Sequence, residues 1–251
     1  MRIAIKISYD GTAYGGWQRQ KNAPSIQQCI EEALETVLGT PCHIVGAGRT
    51  DAGVHAYGQV AHFETDSRIP PEKFCYVLNQ KLPADIRVIE SRAAGEDFHA
   101  RKGAVGKHYR YTVYHAPHAS ALERNTTMHI PQKLDLEQMQ KAASYFEGEH
   151  DFSAFRSMGS NIIGTVRRIY KLEVTQNGPH IYMDVWGNGF LYNMVRIIAG
   201  TLISVGKGKI AAADIPDIIA AGDRTRAGVT APAQGLAMCE VFYDDFFLEN
   251  L

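Results

Sequence analysis

The sequence is short of most features that would take it out of the ordinary globular class. Cysteine is scarce: Cys29, Cys42, Cys75 and Cys239 are scattered, and no two form a CxxC pair. That excludes a disulfide-stapled scaffold and points to free thiols in a reducing, cytoplasmic setting. The Asn125-Thr126-Thr127 sequon is then idle. Long apolar runs are missing too; Ile210–Ala213 and Ile218–Ala221 are far too short to span a bilayer. The N-terminal stretch alternates apolar and polar residues and reaches Asp10 without an h-region or a small-residue cleavage site, so no signal peptide is expected. Neither sign of charge dominates, since the net charge is −1, and bulk charge does not announce a nucleic-acid binder. With 251 residues, 45% hydrophobic and 21% charged, the chain has the composition of a folded protein and not of a disordered one.

The charge is nevertheless unevenly spread. Between Arg101 and Ile130 five Lys/Arg and four His face one acid, Glu123. Arg156–Lys171 holds four basic residues and no acid, and Val185–Ala213 holds Arg196, Lys207 and Lys209 without an acid. The balancing acid sits in Asp135–Asp151 and in Asp244, Asp245 and Glu249. Such segregation can line a basic cleft on a neutral protein, although solvated faces give the same count.

Periodicity divides the chain into two similar halves. Arg2–Tyr9 alternates and is rich in Ile, which predicts a strand. Ser25–Leu38 has helical spacing, with Ser25 as N-cap and Gly39 as the stop. Strands are predicted at Cys42–Ala47, Gly58–Glu64 and Ile86–Ala94, and a short helix at Pro71–Asn79. The order is βαββαβ, the ferredoxin-like unit. The second half repeats it: a strand at Lys107–His115, a helix at Asp135–Phe146, a hairpin of Val166–Gln176 and His180–Trp186 around Asn177-Gly178, an apolar helix at Phe190–Val205 and a closing strand at Met238–Tyr243. The expected fold is α+β: two ferredoxin-like lobes, 1–100 and 101–251, whose antiparallel sheets meet around a central basic cleft.

Familiar cofactor and metal signatures fail on inspection. His62-Phe63-Glu64 has the H-x-E of a zinc deaminase but no P-C-x-x-C partner. Gly187-Asn188-Gly189 lacks the third glycine of a dinucleotide loop, and Gly206-Lys207-Gly208 lacks the hydroxyl residue of a phosphate loop. His99, His108 and His115 have no partner at metal-ligand spacing.

Three segments carry chemistry instead. Gly46–Gln59, GAGRTDAGVHAYGQ, joins two predicted strands and puts Arg49 and Asp51 two residues apart among glycines 46, 48, 53 and 58. An isolated Asp-Ala-Gly is ordinarily a hairpin turn, with Asp51 as an Asx-turn former. This loop is too long for that, and it combines a cation, a carboxylate and glycines that permit close approach. Phe98–Tyr114 interleaves basic and aromatic residues and places Tyr109 and Tyr111 on one strand face, which suits stacking on a base beside a phosphate. Half-buried strand tyrosines would read the same way. Trp186–Gly208 carries a core stripe of Leu191, Met194, Val195, Ile198, Leu202 and Val205 with Arg196 inside it. A buried arginine needs a partner, and Asp51 is a candidate.

Together these stretches resemble the bacterial tRNA pseudouridine synthase A family over nearly the whole chain. The resemblance rests on YDGTAYGGWQRQ (9–20), GRTDAGVHAYGQVAHF (48–63), FHAR (98–101) with KHYRYTVY (107–114), FEGEHDFSAFR (146–156), GNGFLYNMVRIIAGTLISVGKGK (187–209) and APAQGL (231–236). It implies the pseudouridine synthase fold, a homodimer and isomerisation of uridine to pseudouridine in the anticodon arm of tRNA, around positions 38 to 40. It implies no cofactor, since the reaction is redox-neutral. Asp51 is then the essential catalytic residue, acting by addition to C6, by capture of C1′ or by removal of a sugar proton. Tyr109 is expected to stack on the flipped uracil, Arg196 to pair with Asp51 and Arg49 to occupy the space the base vacates. Arg101, Lys107 and Leu191 complete the expected substrate contacts. A catalytically silent RNA-binding protein and a small-molecule enzyme on the same fold are the alternatives; the combined presence of Asp51, Tyr109 and Arg196 argues against the first, and the wide spread of basic residues against the second.

Overall fold

The computed structural model describes residues 1–159 and 164–243. The acidic residues Asp244, Asp245 and Glu249 lie outside them. In chain order the elements are β1 (Arg2–Tyr9), α1 (Ile26–Leu38), β2 (Val45–Gly46), β3 (His55–Glu64), α2 (Phe74–Asn79), β4 (Ile86–Ala94), β5 (Gly106–Tyr114), β6 (Met128–His129), α3 (Leu136–Ser144), β7 (Gly148–Asp151), β8 (Val166–Asn177), β9 (His180–Gly187), α4 (Met194–Gly206), α5 (Ile215–Ala221) and β10 (Leu236–Phe242). The chain is α+β, in two compact units. One holds Met1–Val105 together with the chain from Ala237, the other Gly106–Leu236. Among the described residues no helix is long and apolar enough to cross a membrane.

In the first unit β1 lies between β3 and β4, antiparallel to both, with Ile3, Ile5, Ile7 and Tyr9 buried. The outer edge of β3 is shared. β2 pairs with its far end at His62 and Ala61, and β10 runs parallel to its start at His55 and Ala56. With β2 beside β3, the ferredoxin-like order 4-1-3-2 expected from the pattern is present. The strand expected over Cys42–Ala47 shrinks to Val45–Gly46 because the Ile44 amide is drawn off the ladder, donating to the buried carboxylate of Glu31 at 3.3 Å. Helix α1 begins and ends as its sequence dictates: Ser25 Oγ accepts from the Gln28 amide, and Gly39 closes the helix in the left-handed region. Strand β3 starts three residues before the expected Gly58. Its register slips opposite Ser8, between the pairs Ile7–Gln59 and Tyr9–Ala56. That bulge disrupts the alternation that would have marked the strand's first residues.

In the second unit β5, β9, β8 and β7 form an antiparallel sheet, with β6 parallel to the end of β5. The β8–β9 hairpin turns where expected, with Gly178 at φ 57°. Helix α4 buries every residue except Arg196 and Ser204, so the expected stripe extends nearly all round it, as suits a helix this apolar. It starts at Met194, not Phe190, because Asn193 stands in the left-handed region. Strand β10, expected to close the second repeat, is grouped with the first unit.

Part of the basic surface of this unit is neutralised internally. Cross-strand neighbours Lys171, Trp186 and His108 form one row and Glu173, Asp184 and Arg110 the next. His108 stacks on Trp186 at 4.2 Å, and Asp184, 4% exposed, meets His108 Nε2 at 2.6 Å and accepts from Arg110 Nε at 2.8 Å. Burial pushes the Asp184 carboxyl up, but the hydrogen bonds from His108 and Arg110 and their charges outweigh it and hold it below the usual range. A depressed carboxyl stabilises the fold above its unfolded pKa and loses that contribution as pH falls through the folded value. Asp184→Asn is therefore expected to cost about 2 kcal/mol at neutral pH, or about 5 °C in Tm. Thermal melts against pH check this: the gap between the two proteins should close in acid, and a gap independent of pH would refute it.

Candidate active site

The Asp51 loop spans residues 47–54 between β2 and β3 and is held by a cradle built from the chain just after β1. Thr50 is the anchor. Its hydroxyl shares a 2.8 Å hydrogen bond with the buried Tyr9 hydroxyl, and its carbonyl accepts from the Trp17 amide at 3.0 Å. Gly53 N–H donates to Tyr14 O at 3.3 Å. From the strand side, the fully buried Gln59 donates through Nε2 to Gly48 O at 2.8 Å. These bonds leave Arg49 exposed and Asp51 half-buried on either side of buried Thr50.

Two glycines are required for this arrangement. Gly53, at φ 77°, is the third residue of a turn closed by the Val54 amide on Asp51 O at 3.1 Å. Positive φ at that position is the mark of a type II turn, so Asp51 heads a defined turn and not a loose loop. Gly16, at φ 101°, lies so close beneath the loop that a Cβ would sit 2.4 Å from Thr50 O. His55 Nδ1 lies 3.1 Å from both the Gly11 amide and Asp10 Oδ1. The stretch YDGTAYGGWQRQ is thus the underside of the Asp51 loop. Its roles at Tyr9, Gly16 and Trp17 were not assigned from sequence; the paired glycines beside aromatics were the available signal.

The second unit carries Tyr109, Lys107, Leu191 and Arg196. Tyr109 and Tyr111 share a face of β5 as expected, and both are buried, not half-buried. Their surroundings separate them. Tyr111 is fully buried and its hydroxyl donates to Pro232 O at 2.9 Å, with burial pushing the phenol well up. It is a core residue. Tyr109 presents its ring edge-on to Phe190, centroids 5.3 Å apart; Leu191, which follows Phe190 in the chain at the approach to α4, is buried. Arg196 is half-buried; its Nε donates to Ala231 O at 2.7 Å and its Nη1 to Asn193 Oδ1 at 2.8 Å. Lys107 is half-buried on β5. Arg101 lies in the first unit, exposed, with its amide on His99 Nδ1 at 3.2 Å. Among the described residues no group of three His, Cys, Asp or Glu side chains is arranged to hold a metal ion.

Comparison with known proteins gives consistent matches. A family model described as tRNA pseudouridine synthase matches residues 5–101 and 142–244. A protein of Ruminiclostridium cellulolyticum named tRNA pseudouridine synthase A is 55% identical over 243 residues, covering 96% of this chain and 99% of the relative. Proteins of the same name from Acetivibrio thermocellus and Geotalea uraniireducens are 52% and 49% identical, each again covering 96% of this chain and 99% of the relative.

Proposed function

The chain belongs to the tRNA pseudouridine synthase family and isomerises uridine to pseudouridine in tRNA; we propose that its targets lie in the anticodon arm, around positions 38 to 40, and that Asp51 carries the chemistry. The observation that supports this most is the clamped turn. A carboxylate at the head of a type II turn, with its neighbour Thr50 bonded through both hydroxyl and carbonyl, is pre-positioned before substrate arrives. In the reaction the N1–C1′ bond breaks, the uracil turns, and a C5–C1′ bond forms. The C5 proton is lost and N1 gains one, so the product is an isomer of the substrate. Addition to C6, capture of C1′ and removal of a sugar proton each begin with an ionised Asp51.

The remaining residues take roles around that step. Arg196 pairs with Asp51 and favours its anion. Tyr109 stacks on the flipped uracil, Leu191 packs beside it, and Arg49 fills the gap in the RNA stack. Arg101 and Lys107 bind phosphates, which supply affinity without reading sequence. The first unit contributes the carboxylate, and the second the tyrosine and the arginine. The enzyme acts in the cytoplasm as a homodimer, one tRNA lying across both subunits. Light scattering at micromolar concentration is expected to give twice the 27.8 kDa chain mass; a monomer mass would remove the dimer from the account.

The test is chemical mapping of pseudouridine in tRNA from a strain lacking this protein, with and without add-back. Loss confined to the anticodon arm and restored by add-back is expected. Loss elsewhere in tRNA would overturn the site assignment while leaving the activity.

A further inference from the structure

The start of helix α4 is built against the usual rule. Asparagine is a favoured N-cap because its side-chain oxygen accepts an amide hydrogen bond from the first turn while its own backbone stays extended. Asn193 occupies the N-cap position with φ 61° and ψ 7°, and its side chain makes no capping hydrogen bond. Among the described residues it is the one non-glycine at positive φ. Its carbonyl still accepts the first helical amide, from Ile197 at 2.9 Å. The side chain has been turned to another use.

That use is legible in its contacts. Oδ1 accepts from Arg196 Nη1 at 2.8 Å, one turn further along the helix. Nδ2 donates to Ser157 Oγ at 3.0 Å, and the Ser157 amide in turn donates to Tyr192 O at 3.1 Å. The amide orientation is fixed at the Arg196 end, because a flip would set an NH2 group against the guanidinium. The other edge of Arg196 is held as firmly. Nε donates to Ala231 O at 2.7 Å, and the Ala231 amide returns a 3.0 Å hydrogen bond to Arg196 O. The segment carrying Ala231 is itself tied to α4 through the Gly228 amide on Thr201 Oγ1 at 2.9 Å. A planar guanidinium gripped at Nε and Nη1 has its plane set, and the direction of its remaining N–H groups with it.

We propose that Asn193 is a positioning residue for the isomerisation: it gives up helix capping to fix the plane of the Arg196 guanidinium, the group assigned above as the partner of Asp51. The inference rests on the pairing of Arg196 with Asp51 set out above. Asparagine suits the position because it tolerates the left-handed region and offers both an acceptor and a donor. Glycine satisfies the first need alone, and aspartate satisfies the first and keeps the acceptor.

That difference provides the test. Asn193→Gly, Asn193→Asp and Arg196→Met are compared with wild type by single-turnover rate against pH at saturating tRNA, with filter binding and thermal melts alongside. Asn193→Gly is expected to stay folded, the relief of positive φ offsetting part of the two lost hydrogen bonds, to bind tRNA equally, and to react about tenfold more slowly at neutral pH through the loss of its hydrogen bond to the guanidinium. Its acid limb should move to higher pH, in the same direction as that of Arg196→Met and by less. Asn193→Asp should recover most of the rate. An Asn193→Gly protein with wild-type rate and acid limb, beside a slow Arg196→Met, would overturn the inference and leave the site reading intact. So would a rate loss equal at every pH, or an Asn193→Asp protein no faster than Asn193→Gly. If Arg196→Met itself reacts at the wild-type rate, the Asp51–Arg196 reading fails and this inference fails with it.

Discussion

Asp51→Asn is expected to lower the rate of pseudouridine formation by more than about 10³-fold while leaving tRNA affinity within about twofold of wild type. The substitution keeps the side-chain volume and removes the charge. The turn should survive, because it is closed by the Asp51 carbonyl and the Val54 amide. The cradle grips Thr50, Gly48 and Gly53, and none of those hydrogen bonds uses the Asp51 carboxylate. A loss of activity in a protein of unchanged Tm then reports chemistry and not folding. An amide is a poor nucleophile and a poor base, so each of the three routes is blocked alike. Tritium release from C5-labelled tRNA measures the reaction, and filter binding measures affinity. Turnover at the wild-type rate would remove Asp51 from the catalytic role.

Arg196→Met is expected to be severely impaired at neutral pH and to recover in part as pH rises. Burial disfavours a carboxylate as an anion and by itself raises its pKa. A guanidinium beside it acts in the opposite direction. Each pKa unit of that preference corresponds to about 1.4 kcal/mol. On the proposed pairing, the acid limb of the rate profile is expected to stay low with Arg196 in place and to move up without it, lowering the ionised fraction at neutral pH. Arg196→Lys should stand between the two proteins, since it keeps the charge and loses the planar fork. The Met protein also loses the hydrogen bonds to Ala231 O and Asn193 Oδ1, so native circular dichroism must accompany the kinetics. A rate lowered by the same factor at every pH would mean that Arg196 does not tune the charge of Asp51.

The stretches that carry local information were legible before the fold was known. Ser25 and Gly39 bracket α1 because a hydroxyl cap and a left-handed stop act on their own neighbours. Asn177-Gly178 marks the β8–β9 hairpin for the same reason. The family itself was readable from ordered motifs spread over the chain, and with it the uridine isomerisation. What escaped the pattern was short or borrowed. Helix α5 has seven residues with Pro216 in its first turn, too few for a period to emerge. Strand β7, Gly148–Asp151, is polar and is a strand only because β8 pairs with it.

Tertiary structure decided the rest, and the deciding contacts join residues far apart in sequence. Tyr109 and Tyr111 are equivalent in spacing; the Pro232 carbonyl, more than a hundred residues on, and the close approach of Gly235 seat Tyr111 in the core. Ile44 leaves its strand for Glu31. Tyr9, Gly16 and Trp17 become the underside of the Asp51 loop because the chain after β1 folds back onto Thr50. A periodic pattern reports which face of an element avoids water and which residues can end it. It does not report which distant carbonyl, amide or hydroxyl will satisfy a given polar group once that face is buried, and it is those pairings that hold the Asp51 turn and set the plane of Arg196.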